Sequence, residues 1–349
     1  MIGLDISDRS IKIAEVSATD PPRLQTVCWS SIPTGVIKRG VIQDVPVVIN
    51  AVEEAFTKCS PVPVTGREVV ASIPEMRSFV RVIELPTMSN EETQEAISWA
   101  VKQHIPFDLD RVYLDWQRLP GSPNTNKQSI LVGVTQKDVV DPLLDVLDAV
   151  GLEVRALELE AQSIVRSLLP LQATDIQGVL IIDLGATATN IIYFHQGAIR
   201  FTSSVQFGGD DLTNQLAQAM HLQPSVAAEQ KALVGIGGTT QQNGAEVATA
   251  LRQGIVELMR RIEKMVRDIN PQLQIESYVQ TILLAGGAAN LPGIQSVFTE
   301  VFPNIPVQMG NPWTNIISQS SSKTPPLSPQ DASHFATALG LALRQEEGV

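Results

Sequence analysis

Two short aspartate-bearing turns, far apart in the chain and each ending an apolar strand, constrain this sequence more than any other feature. The first lies in Ile2-Gly3-Leu4-Asp5-Ile6-Ser7-Asp8-Arg9-Ser10-Ile11-Lys12, the second in Val179-Leu180-Ile181-Ile182-Asp183-Leu184-Gly185-Ala186-Thr187-Ala188-Thr189-Asn190. In both, aliphatic residues run into an aspartate, small or hydroxyl residues turn the chain, and a second strand leaves. Small turn residues let backbone N–H groups approach phosphate oxygens, and a nearby carboxylate can hold the hydrated Mg²⁺ that accompanies them. Two such hairpins facing one another would clamp a nucleotide's phosphates between related halves. Asp5 and Asp183 are therefore the expected holders of Mg²⁺ through water. Ser7, Ser10, Gly185, Thr187 and Thr189 are expected to meet phosphate.

A third segment fits the same clamp. Val279–Ile294 reads as a buried strand, a Gly286-Gly287 turn and a helix start, and glycines there let the backbone lie against a flat purine or ribose. The three pieces, in this order, resemble the nucleotide site of the actin, Hsp70 and sugar-kinase superfamily, with ATP and Mg²⁺ as the expected ligands. Any one turn alone is ordinary strand-to-turn punctuation in an α/β protein.

The 349 residues leave room for two domains or one two-lobed fold. The net charge of −12 argues against nucleic acid, which is bound by clustered Lys and Arg. Cys28 and Cys59 show no metal or disulfide framework, so a cytoplasmic protein is the expectation. His104, His195, His221 and His334 show no ligand spacing. Asp5, Asp8 and Arg9 break up the opening apolar stretch, which argues against a signal peptide. No apolar run reaches the ~20 residues of a membrane helix, so the membrane is expected to be met only through partners.

Along the chain, residues 2–16 and 24–32 read as strands, 45–59 as a helix and 68–73 as a strand. From Glu75 to about Leu159 the order is strand, helix, strand, hairpin, strand, helix, strand, a small α/β unit in its own right. Ser89 and Glu92 offer a capping box for its first helix. Residues 212–220, 226–233 and 245–269 read as helices. The last would bury Val247, Leu251, Ile255, Leu258, Ile262 and Val266. Residues 314–332, rich in Ser and Pro, read as a loop without a core, and 332–344 as a closing helix.

Here the chain resembles the type IV pilus assembly PilM family, relatives of the division protein FtsA, over nearly its whole length. The likeness is carried by Phe79-Val80-Arg81-Val82-Ile83-Glu84-Leu85-Pro86, Ile105-Pro106-Phe107-Asp108-Leu109, Leu114-Asp115-Trp116-Gln117, Phe207-Gly208-Gly209-Asp210-Asp211-Leu212-Thr213 and Leu339-Gly340-Leu341-Ala342-Leu343-Arg344. It implies a two-lobed actin-like ATPase fold with ribonuclease-H-like halves. The first lobe would take residues 1–75 with 158–177 and 332–349, and the second 178–331 with a helical outer part at 212–270. An FtsA/PilM-type subdomain would be inserted at 76–157. It also implies a cytoplasmic component of the pilus inner-membrane platform that binds ATP and the N-terminal peptide of a PilN-like membrane protein, alongside other platform and motor components.

The resemblance adds Gly208, Gly209 and Lys231 to the nucleotide site, has Lys12 reach the β-phosphate, and places Gln162 where such enzymes position water, with Asp5 as the second catalytic candidate. The chain departs from the family in its first loop, where Ser7 stands for a glycine and Asp8 for a serine. A carboxylate there repels phosphate unless Mg²⁺ or Arg9 compensates. Ala228 also stands where the family has glutamate, and Glu229 points about 100° away. The expected function is a nucleotide-binding scaffold, at most a weak ATPase. An FtsA-like membrane-tethered polymer subunit and a small-molecule kinase are the alternatives. Trp99, Phe107 and Trp116 mark the face of the inserted unit expected to meet the peptide.

Overall fold

The computed structural model describes residues 1–104, 108–119, 126–171, 176–237, 243–269, 279–316 and 327–344. The first aspartate hairpin is β1 (Ile2–Ile6) and β2 (Ser10–Val16), paired so that Asp5 faces Lys12. β3 (Leu24–Ser31) extends β2 antiparallel, while β6 (Glu68–Ile73) and β10 (Glu153–Leu159) add in parallel on the other side. The result is a five-stranded sheet ordered β10-β6-β1-β2-β3. β4 (Ile37–Lys38) and β5 (Val41–Ile42) form a separate ribbon. α1 (Val45–Thr57), capped by Asp44, and α3 (Lys137–Ala149) bury Val48, Val52, Leu143 and Leu147 against Leu4, Ile11 and Ile13.

The second hairpin, β11 (Val179–Leu184) and β12 (Thr189–His195), repeats the first. Asp183 faces Asn190, and β14 (Thr281–Ala285) runs parallel to β11 as β6 does to β1. β13 (Ala198–Val205) and β15 (Val307–Met309) complete this half. α5 (Gly209–Ala219), α6 (Pro224–Val234), α7 (Gly244–Ile269) and α8 (Ile294–Val301) accompany it. All six α7 residues expected from their spacing are buried, as apolar side chains three and four apart share one helix face.

Two helices lie between the sheets, α4 (Glu160–Leu168) and α10 (Ala336–Ala342). They cross so closely that a Cβ on Gly340 would sit 1.8 Å from the Ser163 carbonyl oxygen, so only glycine fits. Ala161, Ile164 and Leu168 of α4 pack on Ile181, Ile192 and Leu283 of the second sheet. The buried Glu158 carboxylate takes Arg166 and Arg344, at 2.7 Å each, and Arg166 also donates to the Gly340 carbonyl at 2.8 Å.

The inserted unit holds β7 (Ser78–Pro86), α2 (Asn90–His104), β8 (Val112–Arg118) and β9 (Lys127–Gln136) around Ile97, Val101, Ile130 and Val132. The Ser89–Glu92 capping box is formed in both directions. Sheet pairing corrects the far boundary of this unit. β10 joins the first sheet and α3 its core, so both belong to the first lobe although the sequence reading assigned them to the insert. The insert also reaches the second lobe: β7 meets β13 at Arg81 and Phe201, making one eight-stranded sheet, β15-β14-β11-β12-β13-β7-β9-β8.

Two further expectations change. Cys28 and Cys59 form a disulfide, because the backbone of Val27 and Ser60 exchanges two hydrogen bonds and draws the neighbouring cysteines together. The Ser/Pro-rich stretch is not coreless at its ends. Ile316 and Ala332 are buried with Trp313 and Phe335, and a short helix, α9 (Pro329–Ser333), begins after its Ser328 cap. Residues 317–326 lie outside the described residues. Among the described residues, no helix is long and apolar enough to cross a membrane.

Candidate functional site

The tips of the two aspartate hairpins face each other across a cleft of about 510 Å³ between the lobes. Asp5, Ser7, Ser10 and Lys12 line it from the first lobe; Asp183, Gly185, Thr187, Gly209, Lys231, Gly286 and Gly287 line it from the second. Residues from elements nearly three hundred positions apart therefore meet at one cavity, as the repeated hairpin topology requires. Leu212, Ala232, Ala288, Leu291 and Pro292 line it as well and give it an apolar slot of the kind a purine fills.

Two expected residues do not face the cleft. Thr189 is fully buried and donates its hydroxyl to the Phe207 carbonyl at 2.7 Å. Gly208 backs the second tip, where a Cβ would lie 2.5 Å from the Ala186 carbonyl oxygen. Gln162 is also misplaced. Glu160, two residues earlier at the start of α4, lines the cavity in its stead. Two residues turn a helix by roughly 200°, so the phase of α4 decides which side chain faces the site. His334 and Ser333, at the end of α9, line it as well and carried no sequence signal.

The floor of the cleft is a cluster of acids. Asp5 is buried, with Lys12 Nζ at 2.9 Å and the Ser72 hydroxyl at 3.1 Å. Glu160 accepts from the Glu75 backbone N–H at 3.3 Å and from Asn190 Nδ2 at 2.9 Å. Its carboxyl is pushed well above the ordinary range, first by loss of solvent and then by the charges of Asp5, Asp183 and Glu75. The same causes, burial first and the Asp5 charge second, carry Asp183 up to about 6 against the opposing charge of Lys12. Glu75 rises to about 7 because it is buried, with a hydrogen bond from Thr202 working the other way. Glu75 Oε2 has no hydrogen-bond partner among the described residues.

Hard oxygen donors of this kind suit Mg²⁺. No group of three or more His, Cys, Asp or Glu among the described residues is arranged to hold a bare ion. Any Mg²⁺ here would meet Asp5 and Asp183 through water and would take phosphate oxygens as further ligands. Across the cleft, Lys231 donates to the Gly209 carbonyl at 2.6 Å and to the Thr213 hydroxyl at 2.7 Å. Burial holds its ammonium below the usual range, with Asp210 acting the other way.

The sequence profile of the type IV pilus assembly protein PilM family matches residues 3–346. The chain belongs to the PilM family. A PilM structure solved in a "PilM-PilN type IV pilus biogenesis complex" superposes with a TM-score of 0.82 at 23% identity, covering 98% of this chain and 97% of that one. FtsA of Enterococcus hirae is 23% identical over 362 residues, 91% of this chain and 81% of the relative. MreB5 of Spiroplasma citri, solved with AMPPNP, matches with a TM-score of 0.55 at 12% identity, covering 97% and 93%. The PilM fold of this chain is thus actin-like, with two sheet-based lobes.

Of the face expected to meet a peptide, Trp116 packs on the insert core and its indole donates to Gln94, whereas Trp99 on α2 is 73% exposed. Phe107 lies outside the described residues.

Proposed function

We propose that this chain is a cytoplasmic scaffold of the type IV pilus inner-membrane platform, in which a bound adenine nucleotide with Mg²⁺ holds the two lobes together while a partner peptide is captured beside the insert. The observation that carries this reading is the convergence of both aspartate hairpins and the Gly286-Gly287 turn on one cleft. The nucleotide, ATP on the family resemblance, would place its base in the apolar slot and its phosphates toward the hairpins. A ligand that bridges two lobes stabilises their closed arrangement by binding alone, without turnover. Glu160 favours that view. Burial and the charges of Asp5, Asp183 and Glu75 disfavour its ionised form, the form a general base needs, so hydrolysis would be weak at most.

The partner is the N-terminal cytoplasmic segment of a PilN-like membrane protein, and through it the chain would reach the membrane and the other platform and motor components. The insert suits this role because it touches both lobes: β7 pairs with β13, and Glu75 at its root accepts a hydrogen bond from Thr202 of β13. Lobe closure would therefore be felt at the insert. A synthetic peptide of that segment, titrated by fluorescence anisotropy, should bind saturably, more tightly with Mg-nucleotide, and more weakly to Trp99→Ala. No binding in either condition contradicts the scaffold reading.

A further inference from the structure

The first hairpin tip carries a carboxylate where small residues were expected, and its contacts bear on which nucleotide the cleft takes. Asp8 Oδ1 accepts from the Gly40 N–H at 2.8 Å, and Oδ2 accepts from the Arg39 N–H at 2.9 Å. Oδ2 also accepts from the Thr187 hydroxyl on the opposite tip at 3.0 Å. Arg9 does not neutralise Asp8. Its guanidinium reaches across the cleft to Asp210, at 2.6 Å and 2.7 Å, and to Thr34 on its own lobe. Asp8 thus uses the side-chain donor that Thr187 would offer a phosphate, and stands as a fixed negative charge between the tips.

The proposed pose of the nucleotide says which phosphate that charge meets. The apolar slot, Lys12, Asp5, Asp183 and both hairpin tips line one cavity. With the base in the slot and the phosphates toward the hairpins, as proposed above, the group farthest from the base is the one that meets Asp8 and Thr187, the contact between the two tips. We propose that Asp8 is a specificity-determining residue that occupies the seat of the third phosphate, so that the closed cleft takes a nucleoside diphosphate in preference to a triphosphate. The Asp8–Thr187 and Arg9–Asp210 contacts then join the lobes where a third phosphate otherwise would. A triphosphate must break the Asp8–Thr187 hydrogen bond and bring like charges together at short range.

This inference rests on the nucleotide reading above, and one titration separates the two. Binding of Mg-ADP and Mg-ATP is measured by isothermal titration calorimetry on the full chain, for the wild type, Asp8→Ser and Asp8→Asn. The expected result is an affinity for Mg-ADP roughly tenfold or more above that for Mg-ATP in the wild type, since one charge repulsion at about 4 Å exceeds that factor at the effective dielectric of about 20 of a partly exposed site. Both variants should raise the ATP-to-ADP affinity ratio by about the same factor. Asp8→Asn keeps the shape of the side chain and guards against misfolding of the serine variant. Equal affinities in the wild type, a preference for ATP, or an unchanged ratio in the variants would overturn the proposal while leaving the nucleotide reading intact. No binding of either nucleotide would overturn both.

Discussion

The two aspartate hairpins share a backbone plan and differ in how their tips are held. In both, the aspartate faces the residue seven positions on and a parallel strand flanks the first arm. The second tip is held by backbone: Gly209 and Asp210 N–H groups donate to the Gly185 and Ala186 carbonyls at 2.9 Å and 2.8 Å. The first tip is held by the side chains of Ser7, Asp8 and Arg9. The aspartates differ likewise. Asp5 is answered by the Lys12 ammonium, and Asp183 by the Asn190 amide at 3.4 Å. A duplicated scaffold has thus acquired one half whose charge is matched and one whose charge is held back by burial.

That contrast predicts opposite responses to neutralisation. The largest effect is expected for Lys12→Met, which leaves the Asp5 carboxylate buried without its cation. Breaking a buried pair from one side costs about 3–5 kcal/mol, read from urea unfolding near pH 7. A loss within the range of a surface substitution would break the comparison.

Next in size is Glu75→Gln, at the root of the insert. Glu75 has its folded pKa at about 7, above the ordinary 4.5, so the native state binds the extra proton. Stability is therefore undiminished below about pH 4.5, falls as pH rises toward 7, and stays lowered above it. The glutamine variant should be more stable than the wild type by roughly 3 kcal/mol at pH 8, with the gap closing at pH 4.5. A constant gap across that range would assign the effect to packing.

Asp183→Asn should act in the same direction and less strongly. Its carboxyl rises to about 6 from 3.8, so the gain appears between those values and is complete above pH 6. Because Asp183 is only half-buried and opens on the cleft, about 2 kcal/mol is expected in unfolding at pH 8 without nucleotide. Asn190→Ala is smaller still, a loss of about 1–2 kcal/mol from the Glu160 and Asp183 carboxyl oxygens that it leaves without their amide donor. If Asp183→Asn instead destabilised, as Lys12→Met is expected to do, the two hairpins would be electrostatically alike.

Local pattern explains what was legible in the sequence. The hairpins follow from apolar strands on either side of a polar turn, α7 from its apolar spacing, and the start of α2 from Ser89 and Glu92. What was not legible depends on long-range pairing or on helix phase. β10 pairs in parallel with β6, from which the whole insert separates it, and nothing local marks that return. Glu160 rather than Gln162 faces the cleft because of where α4 begins. Cys28 and Cys59 meet because β3 bridges to the segment after α1. Asp8 was visible as a departure, but its partners Arg39, Gly40 and Thr187 come from two distant segments.

The central claim is that a nucleotide joins the two hairpins, and thermal unfolding of the full chain with and without Mg²⁺-nucleotide tests it most directly. With ligand at about 100 times its Kd, the folded state should gain roughly 2.7 kcal/mol, seen as a rise in Tm that Mg²⁺ alone does not give. The rise should be reduced in Asp5→Asn and in Asp183→Asn alike, because one carboxylate from each lobe is needed. An unchanged Tm with millimolar Mg-ADP and Mg-ATP would contradict the account.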